Sequence, residues 1–337
     1  MIGRYLGHLD HHDPLYGYLR DHIVPQLGLK RSPVGFRVFQ ASCSRNVFLY
    51  EECHSDKRLV GKFYPVKNRT SRKRMTGEIE YRNLVHLRNL GFDAPPLYVV
   101  KPLGFNPDLG NLLLMEYLDG DSLGTVITEA MHLGRRERLF RKLTALARFL
   151  ATLHNRTAGG ERVDFNQSHA YMGRLIGSLV TKRGMGRDHS DELYRLREDW
   201  RGRGIMWEDV SALNHGDATP SNFLFGQGKN VLAIDLERMQ WADRAFDLGR
   251  LCGELAHFFY QGKGDPYLAE PFIGSFLWEY SCHFPDRMSA FHAITRRIPF
   301  YMGITLLRIA RNSWIDQEYR WRLVRQAKKI LRRCHDH

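Results

Sequence analysis

Asp217, Asn222 and Asp235 are the residues whose types and spacing could most clearly do chemistry in this sequence. The first two lie in Asn214-His215-Gly216-Asp217-Ala218-Thr219-Pro220-Ser221-Asn222, and the third follows in Ala233-Ile234-Asp235-Leu236-Glu237. Phosphoryl transfer asks little covalent help of a protein; it needs positioning and neutralisation of charge. Asp217 could orient an attacking hydroxyl and accept its proton. Asn222 and Asp235 offer the hard oxygen donors that Mg²⁺ prefers. Short apolar runs at Phe223–Phe225 and Val231–Ile234, separated by Gly226, Gly228 and Asn230, predict a hairpin that would return both ligands to one edge.

The elements that must hold these residues fall into two groups. Residues 1–33 mix His, Asp, Gly and Pro and predict an irregular leader followed by a short helix. Val34–Gln40 and Asn46–Glu52 predict a hairpin, Arg58–Tyr64 a third strand, and Leu97–Leu103 and Leu112–Tyr117 two more. A helix is expected over about 75–90, with Ile79, Leu84, Leu87 and Leu90 on a rough 3.6 period and Gly91 as its stop. From Gly120 the pattern turns helical, most strongly over Leu139–His154. The expectation is an α+β chain: residues 34–118 form a small N-lobe of five antiparallel strands and one helix, and residues 119–337 a larger, mainly helical C-lobe.

Composition narrows the function classes. At 337 residues the chain exceeds what one core usually serves. Its formal net charge of +13 suits an anionic partner, but no nucleic-acid recognition motif accompanies it, so nucleic acid is not expected. The five cysteines are scattered and never form a CxxC pair, which argues against a disulfide framework or a metal cluster. The start lacks the apolar region of a signal peptide, and the longest apolar run, Ile298–Leu307, contains Pro299 and is too short to span a bilayer. A cytoplasmic protein is expected.

The pattern HGDxxxxN followed by Ile-Asp-x-Glu resembles the Brenner-type motif of the aminoglycoside phosphotransferases and their choline kinase-like relatives. Asp243 and Phe246-Asp247-Leu248 follow Asp235 at a spacing similar to that family's. The resemblance implies a protein kinase-like bilobal fold and Mg²⁺-dependent transfer from ATP or GTP to a hydroxyl of a small molecule or glycan. It assigns Asp217 as catalytic base and Asn222 and Asp235 as metal ligands. Lys62, in Val60-Gly61-Lys62-Phe63, looks like the strand lysine that meets phosphates. Glu80 looks like its ion-pair partner, with Glu78 a near alternative. Leu114–Gly120, including Glu116 and Leu118, looks like the hinge that receives the base. The loop 41–46, including Ser44, has no glycine and looks like the serine-containing phosphate loop of aminoglycoside kinases. Arg244 stands where a Pro is common. The likeness covers about residues 36–255.

Each piece alone has a plainer explanation: a solvated edge lysine, an exposed helix glutamate, a capping aspartate. Their joint order favours the functional reading. The excess charge tilts the acceptor towards an anionic one. A protein Ser/Thr kinase is disfavoured because only twelve residues separate Asp235 from Asp247, too few for a peptide platform. A catalytically silent pseudokinase is disfavoured because lysine, base and metal ligands are all present. A lipopolysaccharide or glycolipid kinase stays open through the basic amphipathic segment Arg320–Arg333, which would place the enzyme peripherally on the inner, anionic membrane face. The same segment could instead pack on the body of the protein. The basic stretch Lys67–Arg74 is either a solvated connection or an anion-facing loop, and His8, His11 and His12 read as a surface cluster.

Overall fold

A computed structural model describes residues 3–30, 33–41, 44–64, 76–226 and 228–332. The stretch Lys67–Arg74 therefore lies outside the described residues. The chain divides into two compact units, one of residues 1–120 and 232–238, the other of 121–231 and 239–337.

The first unit is α+β, as expected. Its strands are β1 (Arg4–His8), β2 (Phe36–Gln40), β3 (Val47–Glu52), β4 (Arg58–Phe63), β5 (Asp93–Ala94), β6 (Leu97–Val99), β7 (Pro102–Asn106) and β8 (Leu112–Glu116). Among the described residues β1, β2, β3, β4, β8 and β7 form, in that order, an antiparallel sheet. The sheet has six strands because the leader supplies β1, paired to β2 from Arg4↔Gln40 to His8↔Arg37. The apolar run expected as one strand over Leu97–Leu103 is two strands, β6 and β7, interrupted at Val100-Lys101. The leader also packs. Helix α1 (Pro14–Tyr18) and the helical turns through Leu27 bury Leu15, Leu19, Ile23 and Val24 with Phe36, Tyr50, Leu59 and Leu114.

Alternation along β4 puts Leu59 in that cluster and leaves Val60 and Lys62 on the opposite face. Helix α2 (Thr76–Asn89) packs against β7 and β8. It buries Glu80, Leu84 and Leu87, whereas Ile79, expected on the buried face, is exposed. The inward position belongs to a charged residue because Lys62 waits there to pair with it.

The second unit holds β9 (Asp121–Ser122), α3 (Leu123–His132), α4 (Arg136–Thr157), α5 (Phe165–Arg183), α6 (Arg187–Arg201), β10 (Ala212–Asn214) and β11 (Phe223–Phe225). Strand β12 (Val231–Ala233) carries the chain into the first unit. After it come β13 (Gln240–Ala242), α7 (Ala245–Lys263), α8 (Glu270–Ser281), α9 (Arg287–Thr295), α10 (Ile298–Ala310) and α11 (Gln317–Arg332). Pro299 stands in the first turn of α10, where a missing N–H costs nothing.

Helices α7 and α10 pack unusually closely. A Cβ built on Gly249 would lie 2.2 Å from Tyr301 Cβ, and one on Gly253 would lie 2.7 Å from Thr305 Cβ. Backbone and Cβ atoms cannot swing away, so Gly249→Val is expected to destabilise the protein by at least the roughly 1–3 kcal/mol typical of overpacking. Urea unfolding of the variant checks this, and an unchanged midpoint would contradict the close packing.

The apolar face of α11 is occupied. Leu323, Val324, Ala327, Ile330 and Leu331 are buried, and α11 packs on α10. Arg320 is buried too and donates to the carbonyls of Ala310 (2.9 Å), Asn312 (3.2 Å) and Ile315 (2.5 Å), closing the end of α10. The apolar face is thus part of the core and is not available for insertion into a membrane surface. Among the described residues no helix is long and apolar enough to cross a bilayer.

Candidate active site

In the first unit, Lys62 on β4 is the centre of a carboxylate cluster. Its Nζ lies 2.9 Å from Glu80, 2.7 Å from Asp235 and 3.2 Å from Glu237. Glu80 also accepts from the Tyr64 hydroxyl. The segment carrying Asp235 is held to α2 by Asn83 Nδ2, which donates to Leu236 O at 2.8 Å. Asp235 itself has φ +64°, a left-handed conformation that Asp tolerates better than most residues and that collects at functional sites.

One ammonium cannot fully compensate three carboxylates. Burial would lower the Lys62 pKa, but Glu80, Asp235 and Glu237 outweigh it and hold the ammonium above its ordinary range. Glu80, the deepest carboxylate, is pushed up to about 7 by burial, and Lys62 only partly offsets this. One oxygen each from Glu80, Asp235 and Glu237 lie within 4.8 Å of one another. Such an all-oxygen, charge-rich donor set fits a hard divalent cation.

The other sequence candidates of this unit take simpler places. Val60 shares the Lys62 face of β4. Ser44 lies in the β2–β3 connection, its hydroxyl accepting from Asn46 N at 3.3 Å. Glu116 ends β8, and its carboxylate already accepts from Tyr98 Oη (2.5 Å) and Lys101 N (2.6 Å). Any role of Glu116 towards a base therefore falls to its backbone. Leu118 is half-buried just beyond.

In the second unit, His215-Gly216-Asp217 leaves the end of β10 in a tight turn, with Gly216 at φ +80°. Asp247, fully buried in the first turn of α7, fixes this turn: its carboxylate accepts from His215 N at 2.6 Å and Gly216 N at 3.0 Å. Charge-assisted bonds to two successive amides are strong and directional. Asn222 Nδ2 donates to Asp217 O at 2.9 Å, which ties the two candidates together and turns the amide nitrogen away from any cation.

Sequence reasoning missed the partners of Asp217. Arg250 Nη1, one turn after Asp247 on α7, lies 2.5 Å from Asp217 Oδ1. Arg308 Nη1 of α10 is 4.0 Å from the same oxygen, and Arg308 Nη2 donates to Glu254. Burial raises the Glu254 pKa, while Arg308 and Arg250 oppose the shift. The three-residue step from Asp247 to Arg250 was a usable signal, since both must share a helix face. Nothing in the sequence signalled Arg308.

Asp243, noted for its spacing, is structural. It accepts from Arg297 Nη1 (2.8 Å), Tyr301 Oη (3.1 Å) and Ala245 N (2.9 Å), wholly buried. Arg244, in place of a Pro, is buried as well; its guanidinium lies 3.1 Å from Asp209 and 5.2 Å from the Phe284 ring centre. His154, at the end of the Leu139–His154 helix, meets Tyr280 Oη at 2.8 Å and Asp247 at 3.5 Å.

Residues 36–282 match the model of the phosphotransferase enzyme family. No curated protein matches the sequence. Several solved structures are similar. A choline kinase from Cryptosporidium parvum Iowa II is 14% identical, with 96% of each chain covered and a TM-score of 0.63. An ethanolamine kinase from Plasmodium vivax is 15% identical over 97% of this chain and 91% of its own, with a TM-score of 0.61. A ternary complex of an APH(2″)-IIa enzyme with streptomycin and ATP is 13% identical over 96% and 99%, with a TM-score of 0.55. At these identities the likeness establishes the fold, the protein kinase-like one that the motifs implied.

Proposed function

We propose, from the premise that this chain belongs to the phosphotransferase enzyme family, that it is a kinase moving the terminal phosphoryl group of ATP onto a hydroxyl of a small molecule or glycan, with Mg²⁺. The observation that carries the reading is the turn His215-Gly216-Asp217, pinned by Asp247 through two backbone amides so that one carboxylate is presented in a fixed place.

Asp217 is the base: it orients the acceptor hydroxyl and takes its proton as the new P–O bond forms. Lys62, aligned by Glu80, neutralises phosphate charge. Asp235 and Asn222 would hold Mg²⁺, with Glu237 as a further oxygen donor, and the bound ion would offset charge on the phosphate oxygens. Residues 116–118 receive the base through their backbone, Ser44 faces the phosphates, and Val60, on the Lys62 face of β4, lines the nucleotide site. ATP is the nucleotide of choice by analogy with the ATP complex of the similar aminoglycoside enzyme. In domain terms, residues 34–118 serve the nucleotide, and residues 119–337 carry the catalytic and metal-binding loops and the acceptor site. Nothing observed among the described residues favours a protein or a membrane glycolipid as acceptor.

Lys62→Met tests the cluster directly. It leaves Glu80, Asp235 and Glu237 facing one another without their cation, and losing one partner of a buried pair costs about 3–5 kcal/mol. Lys62 is about one-fifth exposed, so the lower end is expected. The thermal midpoint should fall, and millimolar Mg²⁺ should restore part of it in the variant. A midpoint that falls with no response to Mg²⁺ would argue against a cation site there.

A further inference from the structure

The stripe Asp247, Arg250, Glu254 and His257 runs along one face of α7, and only its first member is explained by holding the catalytic turn. The other charges gather at Asp217. Arg250 is 4% exposed and bonds Asp217; Arg308 is 15% exposed, bonds Glu254, and stands 4.0 Å from Asp217. That distance is too long for a hydrogen bond. The Nε of Arg250 and the Nε of Arg308 are both buried without a hydrogen-bond partner. Two guanidinium groups thus converge on the candidate base, and each also buries an N–H donor that no described group accepts.

We propose that Arg250 and Arg308 read an oxyanion on the acceptor, so that the hydroxyl to be phosphorylated belongs to a molecule already carrying a phosphate or carboxylate group. The inference rests on Asp217 being the base of the reaction. A hydroxyl within hydrogen-bond reach of Asp217 lies within about 7 Å of both guanidinium edges. A group two or three bonds from that hydroxyl therefore falls beside them. Arginine's planar fork matches phosphate and carboxylate oxygens. A cationic acceptor would have to share Asp217 or Glu254 with the arginine that each carboxylate already holds. His257 adds no cation, because burial and then Arg308 lower its pKa to about 4. The wider charge of +13 would also favour encounter with an anion.

The test is equilibrium binding of inorganic phosphate, and separately of acetate, to the full chain saturated with Mg²⁺ and a non-hydrolysable ATP analogue, which fills the nucleotide phosphate positions. Removing Arg308 alone would strand buried Glu254, so the variant is the neutral pair Arg308→Gln with Glu254→Gln, and Arg308→Lys is the conservative control. The wild type should bind phosphate. The neutral pair should lose roughly tenfold or more of that affinity, the loss expected of one charge-assisted hydrogen bond, while keeping its affinity for the analogue. Arg308→Lys should recover part of it. Acetate binding that follows the same pattern identifies a carboxylate as an equal fit; phosphate binding without acetate binding narrows the class to phosphorylated acceptors. Absence of phosphate binding, or affinity untouched in the neutral pair, overturns the proposal. Failure of the analogue itself to bind the wild type would instead overturn the kinase reading on which it rests.

Discussion

Asp217→Asn is expected to lower phosphoryl transfer by about 10²–10⁴-fold, the usual cost of losing a positioned general base, while nucleotide affinity stays near wild type. The substitution is nearly isosteric, and the turn it sits in is held through the backbone amides of His215 and Gly216 bonding Asp247. The loop should therefore keep its shape. What changes is charge: the amide cannot take the acceptor's proton, and Arg250 loses the carboxylate 2.5 Å from it. Some loss of stability is expected from that stranded guanidinium, so the rate is measured well below the variant's unfolding temperature. A preparation of Asp217→Asn with wild-type turnover would mean that another group takes the proton.

The second large effect concerns the metal. Asp235→Asn is the cleaner replacement than Asp235→Ala, because Asn tolerates the left-handed backbone at φ +64° and isolates the effect of charge. Either variant should lose Mg²⁺-dependent nucleotide affinity by more than the roughly 10–100-fold that follows loss of a mere supporting partner of a metal ligand. Asn222→Ala should lose less, a neutral amide being the weaker donor. Binding of the ATP analogue is titrated against Mg²⁺ in all three. An Asp235→Asn protein with wild-type Mg²⁺ dependence would move the metal away from this segment, leaving Glu80 and Glu237 as structural partners of Lys62.

The parts of the site legible in the sequence are those written in short contiguous stretches. His215-Gly216-Asp217 to Asn222, and Ile234-Asp235-Leu236-Glu237, carry their own spacing. Lys62 and Glu80 could be paired only through the family resemblance, since nothing local says that an α2 glutamate turns inward. That inward turn is also why Ile79 was misplaced: periodicity counts apolar residues, and here a buried ion pair took a core position. The leader's strand β1 was missed because Arg-Tyr-Leu-Gly-His shows no alternation of polar and apolar residues, and it joins the sheet only by pairing with β2, about thirty residues later in the chain. The interruption at Val100-Lys101 was hidden by the apolar residues on both sides of it. Arg308 was beyond reach for a different reason. Its role depends on α10 lying close against α7 at Gly249 and Gly253, a contact between segments some fifty residues apart that no local pattern encodes.

The same dependence explains the C-terminal segment. Read alone, Arg320–Arg333 has the composition of a surface-seeking amphipathic helix. In the fold its apolar residues complete the core beside α10, and two of its basic residues are structural: Arg320 bonds the last carbonyl of α10 and one beyond it, and Lys328 pairs with Glu192 at 2.6 Å.

The decisive measurement is transfer of label from γ-phosphate-labelled ATP to hydroxylated acceptors in the presence of Mg²⁺, with wild type beside Asp217→Asn. Label should appear on an acceptor hydroxyl in step with ADP, chelating Mg²⁺ should stop it, and the variant should bind ATP yet transfer about 10²–10⁴-fold more slowly. A wild-type protein that neither binds nor consumes ATP, or a variant that transfers as fast as wild type, would contradict this mechanism.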